Sequence, residues 1–253
     1  MNRLQNKVAI VTGANSGIGL RTAQLFAEEG AILVLCARRK EKLDEVAEAL
    51  RAQGSQVLSI AADVSREEDC VRVVEEAVKA FGRVDVLVNN AGMADKHRPI
   101  TRCDGDWWHT VIDVNQNSVY YMMKAALKYM ELAGYGSIVN IASIGATRYN
   151  SGVAYTASKT AVIGMSKNVA IQFAGKGIRV NVVCPGPTLG TDLMANTLSS
   201  DPGEEQALKE HVIPMGKLGT AQDVAQAAVW LCSDMSGHTT GQALSVDGGM
   251  HAT

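Results

Sequence analysis

The sequence predicts a doubly wound α/β fold built on one parallel sheet, and three observations predict it. Short apolar runs alternate with amphipathic helical stretches along the whole chain. That is the pattern of a sheet whose strands are covered on both faces. A glycine-rich turn, Gly13-x3-Gly17-x-Gly19, stands between the first apolar run and the first helical stretch. No Pro/Gly/Ser-rich linker, repeat or low-complexity segment divides the 253 residues, so one domain over 1–253 is expected.

Taken in order, Val8-Ala9-Ile10-Val11 reads as the first strand and 17–30 as a helix ending at Gly30. Ile32-Leu33-Val34-Leu35 is a second strand, and 40–53 a charged amphipathic helix stopped by Gly54. Val57-Leu58-Ser59-Ile60 is a third strand. Ser65 with Glu68 three residues on predicts a capping box at the next helix. Val84–Val88 is a fourth strand, followed by one long helix near 105–132 and the strand Ser137–Ile141. A helix over 152–174, a strand over Ile178–Val183, a helix over 220–233 and a last strand Ala243–Val246 complete the series. Right-handed crossovers then place helices on both faces. The stretch 184–219 lacks a strong strand signal and holds four prolines. A segment of that kind predicts a substrate lid, here around 187–215.

Composition excludes several classes. Apolar residues make up 47% and charged residues 20%, with a formal net charge of −2. This is an ordinary globular mix that gives no reason to expect nucleic acid as partner. No apolar run reaches membrane-spanning length, and the N-terminus shows no signal-peptide core, so a cytoplasmic location is expected. The five cysteines are widely spaced, without a Cys-x-x-Cys pair. Neither a disulfide framework nor a zinc site is predicted. Cys36 and Cys184 read as small buried hydrophobes at strand ends.

The first turn points to a dinucleotide. Glycines permit a tight turn and close approach of backbone to pyrophosphate, and a helix N-terminus offers free N–H groups and a positive dipole end. Gly13, Asn15, Ser16, Gly17, Ile18 and Gly19 are the residues concerned. In such folds an acidic residue about 20 positions on holds the adenosine ribose. Here the second strand ends in Arg38-Arg39-Lys40, with no carboxylate. Arginine matches a 2′-phosphate in charge and fork geometry, which favours NADP(H) over NAD(H). Asp63 and Val64 after the third strand, and Asn90, Ala91 and Gly92 after the fourth, stand at carboxyl ends of strands, where ligands bind.

The middle of the chain points to proton transfer. Tyr155 and Lys159 are four apart on a helix and share one face. A fixed cation beside a phenol favours phenolate, and a tyrosine tuned in this way exchanges protons with an alcohol near neutrality. A dinucleotide at one end and a proton relay in the middle suggest hydride transfer.

With these motifs in order, the chain resembles the short-chain dehydrogenase/reductase family from Lys7 to about Gly249. The resemblance rests on Thr12-Gly13-x3-Gly17-x-Gly19, Asn89-Asn90-Ala91-Gly92, Asn115, Ser143, Tyr155-x3-Lys159 and Pro185-Gly186. It implies a seven-stranded Rossmann sheet, a nicotinamide cofactor and a Ser-Tyr-Lys-Asn active site. Tyr155 would be the acid/base. Ser143 would orient the carbonyl oxygen. Lys159 would lower the Tyr155 pKa and hold the nicotinamide ribose, and Asn115 would hold a water relaying protons to Lys159. Pro185, Gly186, the backbone of Thr188 and the hydroxyl of Thr191 would meet the nicotinamide. Two spacings depart from the family pattern. Ser143 to Tyr155 is one residue shorter, which shortens the loop 145–151. Pro187–Thr191 is one residue longer, which lets Thr188 and Thr191 compete for one role. The resemblance also implies a homotetramer formed by the helices near 105–132 and 152–174 and the C-terminal strand.

Residues expected to line the substrate pocket are Met93, His97, Ile144, Tyr149, Leu189, Leu193, Met194 and Leu198, a mostly apolar set. They favour a hydrophobic alcohol or ketone: a hydroxysteroid or bile acid, or an alicyclic or aromatic ketone. The alternative is a 3-oxoacyl thioester on acyl carrier protein, which would use the basic surface of Lys96, Arg98, Arg102 and Arg148. A third reading is a nucleotide-sensing protein on the same fold. Such a protein could dispense with the catalytic Tyr or Lys, and this chain keeps both.

Overall fold

In the computed structural model, which describes residues 2–148, 151–191 and 202–252, the predicted alternation becomes a seven-stranded parallel sheet. Its strands are β1 (Val8–Thr12), β2 (Ile32–Ala37), β3 (Val57–Ala61), β4 (Val86–Asn89), β5 (Gly136–Ile141), β6 (Ile178–Pro185) and β9 (Ala243–Val246). They lie in the order β3-β2-β1-β4-β5-β6-β9, and every neighbouring pair is parallel. After β3 the chain crosses to the other side of β1. This reversal between β1 and β4 opens the crevice in which such sheets bind ligands. A separate parallel pair, β7 (Thr188–Leu189) with β8 (Gly219–Thr220), brackets the expected lid.

Side-chain alternation along each strand feeds two cores. In β1, Val8 and Ile10 join the layer under α3 (Glu67–Phe81), α5 (Ser118–Ala133) and α7 (Val153–Phe173). Ala9 and Val11 join the layer under α1 (Gly17–Glu28), α2 (Lys40–Ala52) and α9 (Ala221–Cys232). Phe26 on α1 is fully buried in the second layer, a burial that stabilises by about 1.5–3 kcal/mol. Buried polar groups fix the strand ends. Asn89 of β4 donates to Asn140 of β5 at 2.8 Å, and Asn140 donates to Ser166 of α7 at 2.8 Å. That chain ties α7, the helix of Tyr155 and Lys159, to the centre of the sheet.

Three local expectations are corrected. The long helix near 105–132 is interrupted: α4 (Gly105–Ile112) and α5 flank a π-helical turn over Asp113–Asn117. A π turn admits one extra residue and recurs at functional positions; here it carries Asn115. The capping box at Ser65 does not form, because Ser65 donates both its N–H and its hydroxyl to Asp63. The helix starts at Glu67, with Arg66 as N-cap. A capping box occurs instead at α9, between Thr220 and Asp223. The loop after Ser143 contains a single helical turn, α6 (Gly145–Arg148). The described part of the expected lid segment includes α8 (Pro202–His211). No helix among the described residues is long and apolar enough to cross a membrane.

Candidate active site

At the carboxyl edge of the sheet, one cleft of about 810 Å³ extends from Arg38 to Tyr155. Every residue assigned to the cofactor from the sequence lines this cleft except Gly19, which is buried beneath the turn. Gly13 and Gly17 have φ of +66° and +53°, a region L side chains rarely adopt. A Cβ on Gly13 would meet Asn90 Nδ2 at 2.8 Å and Ala91 Cα at 3.1 Å. The turn is drawn against the end of β4 by Thr12, whose hydroxyl accepts the N–H groups of Asn90 and Ala91, each at 3.0 Å. Asn90 returns a bond to Thr12 O at 2.9 Å. The first turn of α1 carries no acidic side chain. A bare glycine turn, a helix N-terminus free of negative charge and a long cleft fit a dinucleotide.

Arg38 and Arg39 stand exposed at the end of β2, on the cleft. Lys40 does not join them, because its ammonium pairs with Asp44 one turn along α2. Asp63 lines the cleft, with Oδ1 accepting from the backbone and hydroxyl of Ser65.

Ser143 follows β5, and its hydroxyl accepts the Gly145 N–H at 3.0 Å. Tyr155 and Lys159 lie in the first two turns of α7, only 5% and 3% exposed. Lys159 Nζ donates to Ile141 O at 2.8 Å and sits 5.8 Å from the centroid of the Tyr155 ring. Burial pushes the Tyr155 phenol up to about 12; a hydrogen bond with Ser143 opposes the rise, while Asp95 and Cys184 add to it. Burial brings Lys159 down to about 8. Burial therefore sets the direction of the phenol's net shift. The same low-dielectric burial disfavours both charged forms, and the ammonium is anchored to a strand-end carbonyl. Asn115 is fully buried on the π turn. Its Oδ1 accepts the Met93 N–H at 2.8 Å, and its Nδ2 donates to Met93 O at 2.9 Å and to Ser158 at 3.3 Å. The amide clamps the loop after Gly92. A relay to Lys159 through Oδ1 would have to share it with Met93. A Cβ on Gly92 would lie 3.3 Å from Asn115 Oδ1 and 3.4 Å from Lys159 Nζ, so this glycine keeps the two groups mutually accessible.

The competing threonines are both tied locally. Thr188 donates to Gly186 O and Thr191 to Thr188 O, each at 2.9 Å. Of the predicted substrate residues, His97 and Ile144 line the cleft, whereas Met93 and Leu189 do not. Tyr149, Leu193, Met194 and Leu198 lie outside the described residues. Leu208, Val212 and Met250 line the cleft unanticipated. The four-residue spacing of Leu208 and Val212 was the available signal, but Met250 reaches the site from the far end of the chain. Asp95 was also missed; it is buried on the cleft wall, and its carboxylate accepts the Tyr155 N–H at 2.8 Å. The basic surface is partly engaged. Arg98 pairs with Asp104 at 3.1 Å and stacks 4.4 Å from the Trp107 ring, and Arg148 donates to Met250 O. Cys36 and Cys184 are buried free thiols, and burial pushes Cys184 up to about 11. Among the described residues no three His, Cys, Asp or Glu side chains gather as for a metal ion.

Known proteins resemble this chain in sequence and in fold. A family model described as enoyl-(acyl carrier protein) reductase matches residues 13–251. The chain is 38% identical over 248 residues to an A-factor type gamma-butyrolactone 1′-reductase of Streptomyces virginiae, covering 97% of this chain and 96% of that protein. It is 38% identical over 251 residues to 3beta-hydroxysteroid dehydrogenase 2 of Eggerthella lenta, covering 98% and 96%. The crystal structure of levodione reductase superposes with a TM-score of 0.93 at 30% identity, covering 99% of both chains. The family to which these relatives belong implies a nicotinamide cofactor, and the glycine turn and cleft of this chain fit one. The chain belongs to the short-chain dehydrogenase/reductase family of oxidoreductases.

Proposed function

We propose that this enzyme interconverts a secondary alcohol and a ketone on a hydrophobic substrate with NADP(H), in preference to NAD(H). It would work as a single cytoplasmic domain with a lid over 187–215. The observation that carries the reading is the convergence of Ser143, Tyr155 and Lys159 on the same cleft that Arg38 and Arg39 border. When bound, the nicotinamide supplies or accepts the hydride. In reduction, the Tyr155 hydroxyl gives its proton to the carbonyl oxygen. The Ser143 hydroxyl donates to that oxygen as negative charge develops on it. Lys159, fixed by Ile141 O, offers its remaining ammonium protons toward the ribose and the phenol. The apolar Ile144, Leu208, Val212 and Met250 bordering the cleft suit an alicyclic or steroid ketone. The similarity to a hydroxysteroid dehydrogenase and the fold of levodione reductase point the same way. Exposed Tyr120, Leu132 and Ile171 on α5 and α7 are consistent with a homotetramer.

Absorbance of reduced nicotinamide tests this, with NADPH and NADH side by side against a steroid, an alicyclic ketone and an acetoacetyl thioester. Rapid NADPH oxidation with either of the first two supports the proposal. Thioester activity alone would favour the acyl-carrier-protein reading, which the family model's description and the exposed Lys96 and Arg102 support.

Cofactor preference rests on Arg38 and Arg39. A charge-assisted hydrogen bond contributes about 1.5–3 kcal/mol. Arg38→Asp is therefore expected to weaken NADPH by about 10–100-fold and to improve NADH relative to it, read as the ratio of kcat/KM values. An unchanged ratio would place the phosphate contact elsewhere.

The direction of reaction should respond to pH. A phenol held near 12 by burial keeps its proton through neutrality. Ketone reduction, which needs the phenol, is expected to stay level across neutral pH and decline only in alkali. Alcohol oxidation, which needs phenolate, is expected to rise as pH increases. Initial-rate profiles in both directions check this; a reduction limb falling below pH ~7, nearer the ordinary range of a histidine, would assign the proton to another group.

A further inference from the structure

Asp95 joins the loop after Gly92 to the helix that carries Tyr155. The residue is buried, 2% exposed. Oδ2 accepts the Tyr155 N–H at 2.8 Å and Oδ1 accepts the His97 N–H at 3.1 Å. Tyr155 is the third residue of α7, and its N–H is one of the four that a helix leaves unpaired at its start. The N-cap residue is Gly152, which has no side chain to satisfy them. The capping carboxylate comes instead from 60 positions earlier.

The surroundings are shaped to that contact. A Cβ on Gly152 would fall on the Asp95 carboxylate, so a glycine is what admits it. Lys96 and His97 follow with φ of +56° and +50°, two consecutive non-glycine residues in the left-handed region. Such strain persists where neighbouring structure over-determines it, and it gathers at functional sites. A second tie runs from the Val153 N–H to Arg98 O at 3.3 Å. Residues 95–98 therefore grip the start of the helix at two points, while His97 of the same loop lines the cleft.

We propose that Asp95 is a positioning residue for Tyr155, holding its backbone so that the phenol faces Ser143 across the cleft. The proposal rests on the reading of Tyr155 as acid/base. The groups facing the phenol are Asp95 from this loop, Ser143 after β5, Cys184 on β6 and Lys159 one turn along α7. Among them Asp95 brings a negative charge, which holds the proton on the phenol. Asp95→Asn keeps an acceptor oxygen and removes the charge; Asp95→Ala removes both.

The experiment follows both variants in the full-length enzyme by two readouts. One is kcat and KM with NADPH and a ketone that the wild-type protein reduces. The other is the pH titration of tyrosinate absorbance, with the Tyr155→Phe protein as blank so that the difference reports Tyr155 without substrate. Asp95→Ala is expected to lose about 10–100-fold in kcat, the worth of one charge-assisted bond, with KM for NADPH little changed. Asp95→Asn is expected to recover most of kcat while the Tyr155 titration moves to lower pH. Wild-type kcat in Asp95→Ala overturns the proposal, and so does an unmoved titration in Asp95→Asn. If the alanine variant does not fold, the asparagine titration decides alone. Wild-type turnover in Tyr155→Phe would instead overturn the acid/base reading, an outcome the titration keeps separate.

Discussion

Replacing Tyr155 by phenylalanine is expected to lower turnover by about 10²–10⁴-fold, the usual contribution of a positioned acid/base, with affinity for the nicotinamide cofactor held within a few-fold. The structure allows the chemistry to be removed without the fold. The ring is 95% covered, being 5% exposed, and phenylalanine fills the same volume. The backbone N–H keeps its bond to Asp95, so the start of α7 stays capped. Lys159 keeps its bond to Ile141 O. The loss is one hydroxyl and the hydrogen bond it shares with Ser143, and Ser143 retains the Gly145 N–H. Initial rates together with a fluorescence titration of NADPH separate the two effects. Turnover within tenfold of wild type would remove Tyr155 from the mechanism. A parallel collapse of cofactor affinity would mean that the ring is chiefly a wall of the cleft.

The layout of the sheet was legible because strand periodicity and the glycine turn are local signals. β1, β2 and β3 fall within a residue or two of their predicted places for that reason. The residues assigned to the cofactor share one cleft because most of them stand at the ends of strands, along one edge of the sheet. What escaped depends on contacts between distant segments. The π turn at Asn115 is set by the clamp on Met93, which no spacing within the helix announces. Ser65 looked like a cap until Asp63 claimed it, because serine bonds whichever neighbour is nearest. Lys40 has Asp44 one turn away, so charge counting alone overstates the cationic group at the end of β2. The direction of the tyrosine shift has a more general cause. Spacing told of a nearby cation, but burial, a property of the folded chain, is the larger influence. Asp95 was invisible because its partner lies 60 positions away.

Gly19→Ala is expected to lower both stability and affinity for the nicotinamide cofactor, although local propensity argues the reverse. Alanine is the better helix former by about 1 kcal/mol, and Gly19 lies within α1. Against this, its Cβ would overlap Gly13 O and Asn90 Nδ2. Neither is the free end of a flexible side chain. Gly13 is held at φ +66° between β1 and α1, and the Asn90 amide is bonded to Thr12 O at 2.9 Å. Overpacking of this kind costs about 1–3 kcal/mol or more, so the clash outweighs the propensity gain. At about 2–4 °C per kcal/mol for a chain of this size, Tm should fall by a few degrees. Relief of the overlap must push the Gly13 carbonyl or the Asn90 amide, and both residues border the cleft. Cofactor affinity is therefore expected to fall by about tenfold or more, with each 1.4 kcal/mol of displaced contact worth a factor of ten. Thermal melts with and without NADPH measure both quantities in one experiment. A raised Tm with unaltered NADPH binding would mean that the turn can yield without moving the cleft, and the tight seating of α1 against β4 would lose its place in cofactor recognition.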